Sequence, residues 1–251
     1  MSIIAIGNSK GGSGKTTTAV CLATAFAAKG LSVALLDADP DGRAGSWFSR
    51  WAAATEYQGT LARDTKSGLL LSAHCHRGIT LVPAVNEDNL QDLADEAAAQ
   101  NQMVLIDLQG SANQSMLLAF GMADLVVIPV QSSAFDLEGM VKAVKSVRSV
   151  GRTARRQIPH WVLLCRTATI PQGTRVDKFV RGEVEKLGLP VFGSELHLRT
   201  AFQRMTLDGL PPDKLADKGA WQDVEDLARE VALILQGKHP RHSAAGEVAH
   251  G

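Results

Sequence analysis

Ser9-Lys10-Gly11-Gly12-Ser13-Gly14-Lys15-Thr16-Thr17 lies between a short apolar run, residues 2–7, and a helical pattern over residues 16–29. Gly11, Gly12 and Gly14 let the backbone turn tightly and aim consecutive N–H groups at one place. The helix that follows adds the positive end of its dipole. A strand, a glycine-rich turn and a helix N-terminus in this order make a cradle for phosphate. In it Lys15 reaches the outer phosphates of a nucleotide and the Thr16 hydroxyl binds Mg²⁺, with Gly11, Gly12, Ser13, Gly14 and Thr17 completing the loop.

Outward from this loop, short β-branched or leucine-rich runs alternate with longer helical patterns. Residues 2–7, 32–37, 79–83, 103–107, 125–130 and 161–165 read as strands, and residues 16–29, 87–100, 113–122, 136–156, 175–187 and 219–235 as helices. The strands are apolar almost throughout, as a sheet covered on both faces requires. The alternation predicts right-handed crossovers and a doubly wound, mostly parallel α/β sheet with helices on both faces. Residues 47–78 are polar and weakly periodic, and read as a short helix plus loops. From Gly237 the chain is small, polar and punctuated by Pro and Gly, the composition of a flexible tail.

Composition narrows the function classes. The 26 Lys and Arg balance 26 Asp and Glu, so nucleic-acid binding would need a local patch rather than overall charge. Cys21, Cys75 and Cys165 are odd in number and widely spaced, which fits reduced thiols better than a disulfide framework or a metal knuckle. No run approaches the roughly 18 uncharged apolar residues of a membrane span, and the start, Met1-Ser2 followed by an apolar strand, shows no secretory leader. A cytosolic protein is expected.

Two further strands end in acids. Residues 33–41 (VALLDADPD) place Asp37 and Asp39 at the carboxyl end of the second strand, the edge at which open α/β sheets bind ligands. A solvated acidic turn that caps the next helix is the structural alternative. Residues 104–107 (VLID) are an apolar strand ending in Asp107, the pattern that holds Mg²⁺ through water.

Taken together these motifs resemble the ParA/MinD group of P-loop NTPases. The strict G-x-x-x-x-G-K-[ST] pattern has Ser9 in place of its first glycine; what remains, K-G-G-x-G-K-T, is similar to that group's deviant phosphate loop. Residues 124–131 (DLVVIPVQ), and Arg199, Phe202 and Gly209 further on, match later landmarks, so the resemblance covers residues 1–236, expected as one ATPase domain with a tail at 237–251. It implies ATP and Mg²⁺ as cofactors, an ATP-bound homodimer with Lys10 reaching the partner's nucleotide, Asp39 orienting the attacking water and Asp37 supporting the Mg²⁺ shell. Arg166, at the end of the 161–165 strand, would contact the base. Asp41, where relatives often carry Gln, and Gln109, in a D-L-Q-G-S segment where they carry D-T-P-P, depart from the pattern and leave those two roles open.

The group's function is an ATP-timed switch for plasmid partition, chromosome segregation or cargo positioning, cytoplasmic and nucleoid-associated, acting through non-specific DNA and a ParB-like or cargo-adaptor protein. Lys142, Lys145, Arg148, Arg152, Arg155 and Arg156 recur three or four apart over residues 136–156. At about 100° per residue they span an arc of roughly 140°, a stripe able to contact DNA phosphates. A solvated helix face gives the same pattern, and Lys178, Arg181, Arg199 and Arg204 are further candidates. A MinD-like membrane switch would need an amphipathic terminal helix, for which residues 237–251 offer little apolar surface. A biosynthetic P-loop enzyme or an iron protein would need a substrate motif or cluster cysteines that the sequence does not place.

Overall fold

The computed structural model describes residues 1–54, 61–62, 73–111, 113–170 and 173–238 of the chain. Its elements run β1 (Ser2–Ile6), α1 (Lys15–Ala28), β2 (Val33–Ala38), α2 (Arg43–Ala54), β3 (Leu61–Ala62), β4 (Ala73–His76), β5 (Ile79–Val82), α3 (Leu90–Gln100), β6 (Met103–Leu108), α4 (Gln114–Met122), β7 (Leu125–Gln131), α5 (Ala134–Thr153), β8 (His160–Thr167), α6 (Arg175–Lys186), β9 (Leu196–His197), α7 (Thr200–Asp208), a 3-10 turn (Pro212–Lys214) and α8 (Lys218–Leu235).

The strands form one sheet in the order β3-β4-β5-β2-β6-β1-β7-β8-β9. From β5 to β9 every neighbouring pair is parallel, as expected from the strand–helix alternation. At the β5 edge, β4 and β3 add antiparallel strands. Residues 47–78 are therefore not only a short helix and loops: α2 begins earlier, at Arg43, and two short strands extend the sheet. Such brief pairings carry too few alternating residues to register in the sequence pattern. Residues 55–60 and 63–72 lie outside the described residues.

Alternate strand residues point to opposite faces, and each face has its own core. On one, Ile4, Ile6, Val33 and Leu35 pack with α1, α2, α7 and α8. On the other, Ile3, Ala5, Ala34 and Leu36 pack with α3, α4, α5 and α6. α1 is buried from Thr18 to Phe26, which explains why its sequence is apolar nearly all round. α2 anchors through Trp47, Phe48 and Trp51, all buried; the two indoles stack with centroids 5.1 Å apart, and Phe48 meets Trp51 edge-on at 5.7 Å.

Local signals fix several ends. Thr174 and Asp177 form a reciprocal capping box at the start of α6. Gly237, with φ 66°, and Lys238 close the last turn of α8 through bonds to Ile234 and Leu233 carbonyls, so the first two residues expected in the tail belong to the helix cap. Residues 239–251 lie outside the described residues. Among the described residues no helix is long and apolar enough to cross a membrane.

Candidate functional site

Three adjacent central strands, β2, β6 and β1, bring the motifs together at their carboxyl ends. Asp37 and Asp107 are register partners on β2 and β6, and Asp107 also pairs in register with Ile6, one residue before the turn into the phosphate loop. Neighbouring strands sit about 4.8 Å apart, so the sheet itself sets the spacing of these groups.

The phosphate loop closes on α1. Gly14, with φ 105°, is the N-cap, and its carbonyl receives both the Thr18 N–H and the Thr18 hydroxyl at 2.8 Å. The left-handed backbone at Gly14 makes the tight turn from the loop into α1. Lys15 is buried and donates from Nζ to the Lys10 carbonyl at 3.0 Å. Burial lowers its pKa, offset in part by the nearby charges of Asp107 and Asp39. The Ser13 hydroxyl is buried without a hydrogen-bond partner.

The front half of the loop is fastened to other elements. Asn8, fully buried, donates to the Pro129 carbonyl at 2.7 Å and accepts from the Lys10 N–H at 3.1 Å. The Ser9 hydroxyl donates to the Gly139 carbonyl at 2.9 Å. Lys10 Nζ lies 2.8 Å from Asp136 Oδ1, on the first turn of α5, and the Gln131 amide donates to the Gly12 carbonyl. Asn8, Gln131, Asp136 and Gly139 were not legible as site residues. Their partners lie some 120–130 positions away in sequence, and no local pattern announces such a contact.

The three acids differ in their surroundings. Asp107 is fully buried with neither carboxylate oxygen hydrogen-bonded. Burial pushes its pKa up to about 7, with the Thr16 hydroxyl and Lys15 opposing and Asp37 and Asp39 adding to the rise. Asp37 is also raised by burial, but its oxygens accept backbone N–H groups, Gly45 at 2.7 Å and Asp39 at 3.3 Å, so it ties the Asp39 turn to α2. Asp39 accepts from the Asp41 N–H at 3.1 Å, and its other oxygen is 3.8 Å from Arg43 Nε. Asp41 faces outward to Arg43 at 2.8 Å. Gln109 accepts from the Asn113 side chain at 3.1 Å, linking the turn after β6 to the start of α4.

A cavity of about 610 Å³ opens over the loop, a size suited to a small-molecule ligand. It is lined by the phosphate loop, by Asp39 and Arg43, by Gln109 and Gly110, and by Arg166 with residues 196–199. Arg166 takes a left-handed backbone, φ 55°, where β8 is irregular between Cys165 and Thr167. Cys165 packs beneath Gly14, and burial pushes its thiol up to about 12, a packing sulfur rather than a reactive one. Among the described residues no three His, Cys, Asp or Glu side chains cluster as a metal cage. Mg²⁺ does not need one, since it binds through one or two protein oxygens plus phosphate and water. The orphaned Asp107 carboxylate beside Thr16 fits that demand.

The basic stripe needs correction. Lys142, Lys145, Arg148, Arg152, Arg155 and Arg156 are all exposed, but α5 ends at Thr153. The chain then turns back on Gly151, whose carbonyl receives the Arg156 N–H at 3.0 Å. Arg155 sits in that turn with φ 52°. The Arg156 guanidinium donates to the Gly121 and Ala123 carbonyls at 2.6 and 2.9 Å, capping α4. Only Lys142, Lys145, Arg148 and Arg152 share the helix.

The family model described as ATPase MipZ matches residues 2–154, more than half of the chain. The maintenance of carboxysome distribution protein A of Gloeobacter kilaueensis is 31% identical over 227 residues, which cover 90% of this chain and 91% of that protein. The protein ParA of Rhizobium radiobacter is 29% identical over 163 residues, 65% of this chain; that match spans 64% of the relative, just under two thirds of its length. A Cyanothece McdA variant in complex with ATP superposes with a TM-score of 0.70 at 16% identity, covering 92% of this chain and 96% of that one, which shows a common fold. With the phosphate loop, the acid-tipped strands and the parallel sheet in place, the chain belongs to the ATPase MipZ family, among the ParA/MinD-type P-loop ATPases.

Proposed function

We propose that the chain is an ATP-timed partition or positioning switch: it binds ATP and Mg²⁺ as it dimerises, engages DNA non-specifically in that state, and is released when a cargo-bound partner stimulates hydrolysis. The observation that carries the nucleotide reading is Asp107, a fully buried carboxylate with no hydrogen bond, beside Thr16 and Lys15 at the mouth of the phosphate loop. A buried carboxylate is costly unless matched by positive charge. In this reading Thr16 and Asp107 would hold Mg²⁺, with Asp37 supporting from the neighbouring strand, and the ion would supply positive charge at the phosphates.

Within this assignment the loop N–H groups, from Gly11 to Thr17, grip the phosphates, Lys15 neutralises the outer ones and Arg166 covers the base. Asp39, tethered by the Asp41 N–H, orients water for attack. Catalysis is positioning and charge stabilisation with no covalent step on the protein. Lys10 acts on the partner's nucleotide across the dimer. The name of the carboxysome-distribution relative supports positioning as the purpose; the place put forward is cytoplasmic and nucleoid-associated, and the partner a ParB-like or cargo-adaptor protein. For DNA the surface put forward is the α5 face of Lys142, Lys145, Arg148 and Arg152, with Lys178, Arg181 and Arg204 as additional cations. Arg181 and Arg204 already pair with Glu195 and Asp208, and Arg199 with Asp223, which leaves them less available.

The test is binding to non-specific duplex DNA with ATP, ADP or no nucleotide across a salt series. Binding that requires ATP and falls steeply with salt is expected, because each phosphate contact releases counterions. Absence of binding in every nucleotide state would remove DNA from this reading.

A further inference from the structure

We propose that Asp223 is a positioning residue that fixes Arg199, with His197, as the cavity wall met by the nucleotide's base, so that preference for ATP over a bare polyphosphate is set from α8. This rests on the assignment of the cavity to ATP and adds to it how the base end is built.

The frame is α8. Ala220, Val224, Leu227 and Val231 bury one side of the helix in the core it shares with α1, so acids flanking that side are fixed points. Two of them, Asp223 and Glu230, are seven residues and so about two turns apart, and both hold the chain around β9. Glu230 accepts the Gly193 and Ser194 N–H groups at 2.7 and 2.9 Å. Asp223 is buried and gathers three contacts on one oxygen: Arg199 Nε at 2.9 Å, the His197 N–H at 3.3 Å and His197 Nδ1 at 3.0 Å. Burial alone raises the pKa of such an acid, but the His197 and Arg199 contacts outweigh it and hold Asp223 below its ordinary value.

Arg199 is confined from two further directions. Asp217 Oδ1 lies 3.5 Å from its Nη1. Gly219 leaves the space that the guanidinium occupies, since a Cβ there would stand 2.6 Å from Nη1. The plane of the group is therefore set, and in that setting Arg199 lines the cavity beside His197 and Leu198. Its distance from the phosphate loop points to the base. In the strand order β1-β7-β8-β9, β9 stands three strand spacings, about 14 Å, from the strand that carries the loop. The base is the end of a nucleotide that lies away from its phosphates, and a fixed guanidinium offers a flat ring a face to stack on.

The experiment is calorimetric titration of the full chain, with Mg²⁺, by ATP and by inorganic tripolyphosphate, together with steady-state hydrolysis of ATP. It compares wild type, Asp223→Asn and Gly219→Ala. Asp223→Asn keeps the shape and removes the charge; Gly219→Ala sets a methyl group where the guanidinium lies, at a helical position that favours Ala over Gly. In both, the dissociation constant for ATP should rise by about 2- to 30-fold, the range for a cation set against a ring. Tripolyphosphate affinity should stay within about twofold, and KM should rise with kcat unchanged, as for loss of uniform binding. A loosened fold would weaken both ligands together. Unchanged ATP affinity in Asp223→Asn, or an equal loss for ATP and tripolyphosphate, overturns the proposal and leaves the ATP site standing. Wild type that binds neither ligand overturns the ATP assignment itself. If Asp223→Asn does not fold, Gly219→Ala decides by the same criteria.

Discussion

Gly110 in the turn after β6 lies directly against Gly11 in the phosphate loop: a Cβ on Gly110 would stand 2.8 Å from both the nitrogen and the Cα of Gly11. The turn that follows the buried acid Asp107 is therefore in backbone contact with the loop assigned to the phosphates. Both sides of the contact are main chain, so neither can yield by changing a rotamer.

Gly110→Ala should consequently displace the loop, at a cost of about 1–3 kcal/mol by overpacking, and weaken nucleotide binding more than it lowers the melting temperature. Titration of a fluorescent ATP analogue checks this; wild-type affinity in a folded Gly110→Ala chain would show that the contact is slack.

Lys15→Ala removes the buried ammonium beside Asp107 and Asp39. Loss of nucleotide affinity on the order of 100-fold is expected, the scale of a charge-assisted bond to phosphate, and calorimetric titration with ATP and Mg²⁺ measures it. Retained affinity would remove the lysine from the phosphate site.

Asp39→Ala should separate binding from chemistry. ATP affinity should stay within a few-fold of wild type, while hydrolysis measured by phosphate release falls roughly 10²–10³-fold, as for loss of a group that positions and activates water. Normal turnover would leave Asp39 as a helix-capping acid, the structural alternative.

Beside the cavity, His197 Nδ1 stands 3.0 Å from Asp223 Oδ2. The contact with Asp223 raises the imidazole pKa, against an opposing effect of burial. A raised folded-state pKa contributes stability that is complete below the unfolded value, about 6.5, and is lost as pH rises through the folded value. The melting temperature of wild type should therefore exceed that of His197→Gln most at about pH 5.5–6, the gap closing through the neutral range and above. A gap independent of pH would mean that His197 acts through packing alone.

Arg156→Ala should lower stability by about 1–2 kcal/mol, because it strips two carbonyl bonds from the end of α4, and should leave DNA affinity unchanged. Lys142→Ala with Lys145→Ala should do the reverse and flatten the salt dependence by about two phosphate contacts. Denaturant melts paired with DNA titrations read both.

What could be seen from the sequence was whatever repeats or stays local. The parallel strands announced themselves through apolar runs, the phosphate loop through its glycines, and Asp37, Asp39 and Asp107 through their places at strand ends. Their meeting followed from the topology, since β2, β6 and β1 are neighbours. Features built on brief pairings or distant contacts were hidden. The two-residue strands β3 and β9 carry no periodicity, and nothing near Lys10 points to Asp136. The end of α5 was misplaced because the basic residues continue in step past Thr153, whereas the helix stops where the chain folds back onto Gly151. The resemblance implies only metal support for Asp37, and the structure adds a second task, since the Gly45 and Asp39 N–H groups donate to it.

The register pairing of Asp37 with Asp107 also bears on how the protein fails. Segments that open easily are those with few buried contacts, while central strands open only with the whole molecule. The acids and the phosphate loop are attached to the three middle strands of the nine that the described residues form, each shielded by helices on both faces. Frayed edges or a loosened α7 would thus change the cavity's rim long before its floor. On warming, the ability to hold a nucleotide should vanish in the same transition as the fold, with no earlier melting of its own.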